Sequence, residues 1–307
     1  MKKIIIAIFS SLCVVFFASH IFAKNINNGI TISPIISKIT LNKGETYSGD
    51  IYLTNNSPTT KTVALSIDAF RQQGDTNHPK FSSKINSISQ AIHWIKIQQN
   101  VLLYPNILKM IPYTVNVPLN ASPGGHFISI MASEGGGKNT KIVQSVGSLI
   151  MMIINGKITS TGFINSFSTS NNFYLKNPIN FDLKFSNTGN VYYAPFGFIT
   201  IKNIFGNTIS TIEINKNKSD ILPESTRLYV TQLKMQNILN EIGIYSATLN
   251  LTYGYQGHYV NTVSKTTFYM IDYKYILLIL ILVFLVYIIK KHVTIKHKST
   301  SKRNSKQ

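Results

Sequence analysis

From Lys24 to Lys274, apolar and polar residues alternate in short runs punctuated by turn residues, and no other feature constrains the fold as tightly. The runs include Ile51-Tyr52-Leu53, Val63-Ala64-Leu65-Ser66-Ile67, Tyr113-Thr114-Val115-Asn116-Val117, Ile179 to Phe185 and Tyr245 to Leu251. Successive side chains of a strand point to opposite faces, so a period of two with β-branched and aromatic residues predicts half-buried strands. Turn clusters separate them: Asn42-Lys43-Gly44-Glu45, which predicts a hairpin turn, Asn55-Asn56-Ser57-Pro58, Pro123-Gly124-Gly125 and Asn187-Thr188-Gly189-Asn190. Asn55 and Asn187 are expected to bond their own backbone at strand ends. Only Ile85 to Gln90 and Met235 to Glu241 carry a local helical pattern. Many short strands at this spacing predict an all-β chain with two tandem sandwiches of roughly 100 residues each, over residues 24–155 and 156–272. The run Gly147 to Ile154 is apolar on both faces and too short to cross a bilayer, so it reads as a central strand closing the first sandwich.

The ends of the chain follow different rules. Tyr275 to Ile289 has no charge, Gly or Pro, and the segment from Lys290 to Gln307 carries seven Lys or Arg and no acid. This predicts one C-terminal transmembrane helix over residues 273–291, with membrane contact through 275–289, and a basic cytoplasmic tail over 292–307. Lys274 and Lys290 can snorkel, and Tyr273, Tyr275 and Tyr287 suit the membrane interface. Met1-Lys2-Lys3, the apolar Ile4 to Phe17 and the small Ala23 predict a signal peptide over residues 1–23, cleaved after Ala23. The expected location is the cell membrane, with both sandwiches outside the cell. Cys13 is the only cysteine and lies within that leader, behind Leu12 where a lipid-attachment signal would place a small residue. The mature chain therefore has no thiol for a disulfide, a thiolate metal site or a cysteine nucleophile.

The net charge of +19 divides between the ends and the middle of the chain. Nine of the 30 Lys and Arg lie in the leader and tail, leaving 21 against 11 acids outside, a net +10. These lysines are scattered and form no basic stripe with interleaved aromatics, so nucleic acid is not an expected partner. Such a surface suits anionic envelope polymers or lipid headgroups, and it equally suits a Lys- and Asn-rich compositional bias.

One succession of motifs resembles a known family. Ile32-Ser33-Pro34 is followed by Leu41-Asn42-Lys43-Gly44-Glu45-Thr46 and by a strand ending in Leu53-Thr54-Asn55-Asn56-Ser57. His93-Trp94-Ile95-Lys96-Ile97, Val115-Asn116-Val117-Pro118 and Ala121 to Ile130 come later. Over residues 29–154 this order is similar to the peptidoglycan-binding domain of the WxL-interacting surface proteins, an immunoglobulin-like β-sandwich. The layout of leader, two sandwiches, one span and basic tail is similar too. The resemblance implies a cell-wall glycan as a partner of the first domain and a surface protein as a partner of the second. The second domain, with Phe185 to Val191, Pro195-Phe196-Gly197 and Leu222 to Arg227, resembles only generic immunoglobulin-like surface domains.

Candidate ligand-binding residues are few. In a period-two reading, Trp94 shares its face with Ile92 and Lys96, which leaves it half-exposed and able to stack on a sugar, or else in the sandwich core. Tyr253 to Tyr259 forms an aromatic hairpin with two glycines, making Tyr255 and His258 candidates. If the last strand exits toward the membrane, this tip sits at the junction of the two domains, and the loop Glu134 to Lys141 sits at the far end. Gly135-Gly136-Gly137-Lys138 lacks phosphate-loop spacing. His78, His93, His126 and His258 share no metal-ligand spacing, the acids form no close pair, and no G-x-S-x-G elbow is present. The chain is expected to bind without catalysing and to need no cofactor. Two functions fit: a surface-anchored protein binding a glycan and a protein partner, or a structural, chaperone-like assembly subunit that lends an edge strand.

Overall fold

The computed structural model describes residues 29–76, 78–82, 87–134, 145–235, 242–271 and 273–304. The leader, the glycine loop over 135–141 and the helical pattern over 236–241 lie outside these residues.

The described chain is almost entirely strand and forms two β-sandwiches with one helix behind them. In the first sandwich one sheet has the order β1 (Ile30–Ser33), β3 (Thr46–Asn55), β8 (Leu108–Asn116), β6 (Ile95–Ile97). The facing sheet has the order β2 (Ile36–Leu41), β10 (Ser145–Ile154), β9 (Gly124–Glu134), β4 (Lys61–Gln72), β5 (Pro79–Ser82), and β7 (Asn100–Leu103) also pairs with β4. The second sandwich packs β11 (Gly162–Thr169), β13 (Ile179–Asn187) and β16 (Ser225–Leu233) against β12 (Phe173–Tyr174), β18 (His258–Ile271), β17 (Ile242–Tyr255), β14 (Phe196–Asn203) and β15 (Thr208–Ile214). β18 runs into the helix α1 (Tyr273–Asn304), whose first 19 residues, Tyr273–Lys291, are long and apolar enough to cross a bilayer.

Each sandwich has its own core, and the alternation read from the sequence builds it. Ile51, Leu53, Val63, Ile111, Val115, Ile130 and Ile150 meet in the first. Ile179, Phe181, Leu183, Phe185, Leu249 and Leu251 meet in the second. Two buried asparagines close corresponding strands. Asn55 donates from Nδ2 to the carbonyls of Thr59 and Leu103, and its Oδ1 accepts the N–H of Ser57 at 3.0 Å. Asn187 donates to the carbonyls of Val191 and Ile221, and its Oδ1 accepts the N–H of Gly189 at 2.9 Å. Each replaces the ladder partners that a strand loses at its end.

Two local expectations change. Asn42-Lys43-Gly44-Glu45 is a turn, with the Glu45 N–H on the Asn42 carbonyl, but it is not a hairpin. β2 pairs with β10 and β3 pairs with β1 and β8, so the turn carries the chain from one sheet to the other. The second change concerns Trp94. Residues Ser87–Trp94 form a 3₁₀ segment and the strand begins only at Ile95. A three-residue period replaces the assumed two, and it turns Trp94 inward, where it is 7% exposed in the first core. Of the two placements the sequence left open for Trp94, the structure shows the one in the sandwich core, so Trp94 is not exposed to stack on a sugar.

Candidate partner-binding cleft between the sandwiches

The residues that are apolar on both faces of β10 explain how the domains meet. Ile150, Met152 and Ile154 point into the first core, while Met151 and Ile153 point the other way. With Phe70 and Phe127 they pack on Val191, Tyr192 and Leu222 of the second sandwich. The Phe127 and Tyr192 rings meet edge-on at 6.0 Å. Gly124 lies at φ +114°, and a Cβ there would come within 2.5 Å of the Asn190 carbonyl. Gly124 thus serves the approach of the second domain, since only Gly tolerates both the φ and the contact. The Gly125 N–H donates to that carbonyl at 2.6 Å, and the Asn190 Oδ1 accepts the Thr159 N–H at 2.8 Å. On the far side the Leu228 N–H donates to the Asp75 carbonyl at 3.1 Å, and Lys184 pairs with the Asp75 carboxylate at 3.2 Å.

Between these attachments lies a cleft of about 600 Å³. Ile36, Phe70, Leu149 and Met151 form its apolar wall on the first sandwich, and Leu222 and Arg227 face it from the second. Of the charged side chains lining it, Lys38, Arg71, Lys218 and Arg227 are cations and Asp220 is the single acid. Asp220 is committed to Lys38, whose ammonium group also lies 5.3 Å from the centre of the Tyr192 ring.

Arg227 is the unusual group. It sits on β16 opposite Phe185, is 6% exposed, and among the described residues has no hydrogen-bond partner at Nε or Nη1. Its guanidinium lies over the Tyr229 ring at 6.0 Å. Burial pushes the Tyr229 phenol up to about 12 against the opposing pull of Arg227, so the ring stays neutral and supplies no counter-charge. Gln72 donates from Nε2 to the Thr226 carbonyl, and its own Oε1 is buried without a partner. Two of its three nitrogens thus lack a partner, and a carboxylate or other bidentate anion in the cleft would supply one. The strand β2 lines the same cleft. Among the described residues it is hydrogen-bonded to β10 alone, and Ile36 upon it is 50% exposed.

The candidates from sequence separate. Tyr255 and His258 face each other across the β17–β18 hairpin, whose central residues Gln256 and Gly257 both have positive φ, as a type I′ turn requires. Tyr255 packs against the junction cluster and lines a second hollow beside Tyr192 and Tyr259. His258 is exposed next to it. Trp94 is not with them: it lies in the first core with its ring 4.7 Å from that of His126. Among the described residues, no group of three or more His, Cys, Asp or Glu side chains is placed to hold a metal ion. Sequence reading missed Arg227. In Arg227-Leu228-Tyr229-Val230 the alternation sets no parity, and hydrophobicity alone would turn Leu228 and Val230 inward, whereas both are exposed.

No protein-family model matches this sequence, and no curated protein matches it. Among solved structures it is similar to a class 5 fimbriae chaperone, CfaA, at 14% identity over 77% of this chain and 99% of that one, with a TM-score of 0.41. It is also similar to the CupB2 chaperone of Pseudomonas aeruginosa at 10% identity, over 76% and 98% of the two chains, with a TM-score of 0.35. The E. coli chaperone DraB follows at 13% identity, over 79% and 98%, with a TM-score of 0.34.

Proposed function

We propose that this chain is a membrane-tethered assembly subunit that holds a segment of a protein partner in the cleft between its two sandwiches. The observation that carries the reading is Arg227, buried and unpaired at Nε and Nη1 in a cleft with four cations and one acid. The apolar wall and the open edge of β2 suit an extended segment added as a strand, with side chains of one parity on the wall and an acidic group at Arg227. The apolar length of α1 supports a membrane span, and the basic tail behind it supports a cleft presented outside the cytoplasm. The reading rests on the cleft and not on likeness to fimbrial chaperones.

A photo-reactive residue replacing Ile36 in the full chain should cross-link to one stoichiometric protein in intact membranes. The added substitution Arg227→Met should lower that yield at least tenfold. Equal yields with and without Arg227 would sink the reading. Membership of the WxL-interacting family, with peptidoglycan as ligand, is a second proposal, and it must use a surface other than Trp94. Co-sedimentation of the detergent-solubilised full chain with purified wall polymer tests it directly.

A further inference from the structure

The end of the second sandwich opposite the cleft carries an unusual concentration of exposed apolar side chains. β17 begins and β18 ends there, with Ile242 paired to Ile271. The β14–β15 hairpin turns at the same end, because Asn203 pairs with Tyr245 just before the tip. That tip displays Ile204 at 65% and Phe205 at 80% exposure. Phe173, paired with Tyr269, Leu175 and Ile242 are exposed beside it. Water-facing tips of soluble domains are usually polar, and apolar groups gathered at one end mark a contact surface.

The helix identifies what they contact. The N–H of Tyr273, its first residue, donates to the Leu175 carbonyl at 2.9 Å, so sandwich and helix are joined without a spacer. The candidate span Tyr273–Lys291 is 19 residues long, with Lys274, Lys290 and Lys291 at its ends. At 1.5 Å per residue it spans about 28 Å, close to the roughly 30 Å hydrocarbon core of a bilayer. A helix with so little surplus length holds Tyr273 at the membrane boundary. Leu175, one hydrogen bond away, is then held at the same depth, and Phe173 and Tyr269 are within a strand spacing of it. Lys176 and Lys234, both exposed on this end, suit lipid phosphates.

We infer that the base of the second sandwich rests in the headgroup layer of the bilayer, with Phe205, Ile204 and Leu175 inserted, so that the domain is fixed against the membrane and not suspended above it. The inference rests on the reading of α1 as a membrane span. The test uses the full chain with Cys13→Ser in phosphatidylcholine vesicles containing a lipid spin-labelled at its headgroup. Fluorophores are attached singly to Phe205→Cys, His258→Cys and Leu280→Cys. Quenching at 205 should exceed quenching at 258 severalfold, and the label at 280 should be shielded from aqueous iodide. Equal weak quenching at 205 and 258, with 280 shielded, overturns the docking alone. Exposure of 280 to iodide overturns the span and the docking with it. Disulfide trapping between Phe205→Cys of two copies without lipid quenching assigns the face to a dimer, and also overturns the inference.

Discussion

β10 and β18 are the last strands of their sandwiches, and they differ in what covers their second face. β10 is buried on both: Ile150 and Met152 lie in the first core, Met151 and Ile153 under the second domain. On β18 the inward parity ends in Phe268 and Met270, while Tyr259, Val263 and Tyr269 on the outer parity stay exposed. The sequences already differ accordingly, Leu149-Ile150-Met151-Met152-Ile153-Ile154 against Val263-Ser264-Lys265-Thr266-Thr267. A continuous apolar strand therefore reports a second packing partner within the chain.

The strongest way to break this contrast is Ile153→Asp. A carboxylate on the junction face should cost more than about 4 kcal/mol. Calorimetry should then resolve two transitions, against the single one expected of the parent protein. A single cooperative transition would mean that the domains do not depend on this face.

Arg227→Met sharpens the comparison, because the cleft is where covering of the junction face stops. Replacing a buried ion by an apolar side chain of similar length is often neutral or stabilising by about 1–4 kcal/mol. The midpoint of thermal unfolding of the partner-free protein should rise while partner cross-linking falls. A lowered midpoint would assign Arg227 to the structure of the second sandwich instead.

A smaller effect concerns His126, on β9 beside β10, with Met152 as its cross-strand neighbour. Burial lowers its pKa below the ordinary 6.5, partly offset by its bond to the Ser122 carbonyl. The unfolded chain then binds the proton first, so its contribution to stability is complete above about pH 6.5 and is lost as pH falls through the folded value. Denaturant unfolding between pH 7.5 and 5 should show this loss, and His126→Phe should flatten it. An unchanged slope in the variant would assign the pH dependence to other groups.

The smallest effect is expected on the open side. Val263→Asp lies on the exposed face of β18 and should change stability by no more than about 0.5 kcal/mol. A loss of several kcal/mol would reveal a partner covering this face.

Much of the architecture was legible in the sequence. Alternation from Ile51 to Leu53 and from Ile179 to Phe185 gave the strands, because side-chain direction in a strand is local geometry. Asn55 and Asn187 gave strand ends, because their amides reach only nearby backbone. Trp94 was not legible, because a 3₁₀ turn and a strand place the same residues on different faces. Nor was the partner of Asn42-Lys43-Gly44-Glu45, since a turn looks alike whether it joins neighbours or crosses between sheets.

The sequence by itself determined the class of the described segments: alternating strands and an apolar helix. These follow from local periodicity and composition, which any window of residues contains. Only the tertiary structure decided that Met151 faces another domain, that Arg227 is buried at the cleft, and that Phe205 shares an end with Tyr273. Each depends on residues far apart in the chain brought together by strand order, and burial of a side chain is set by those neighbours and not by its own chemistry.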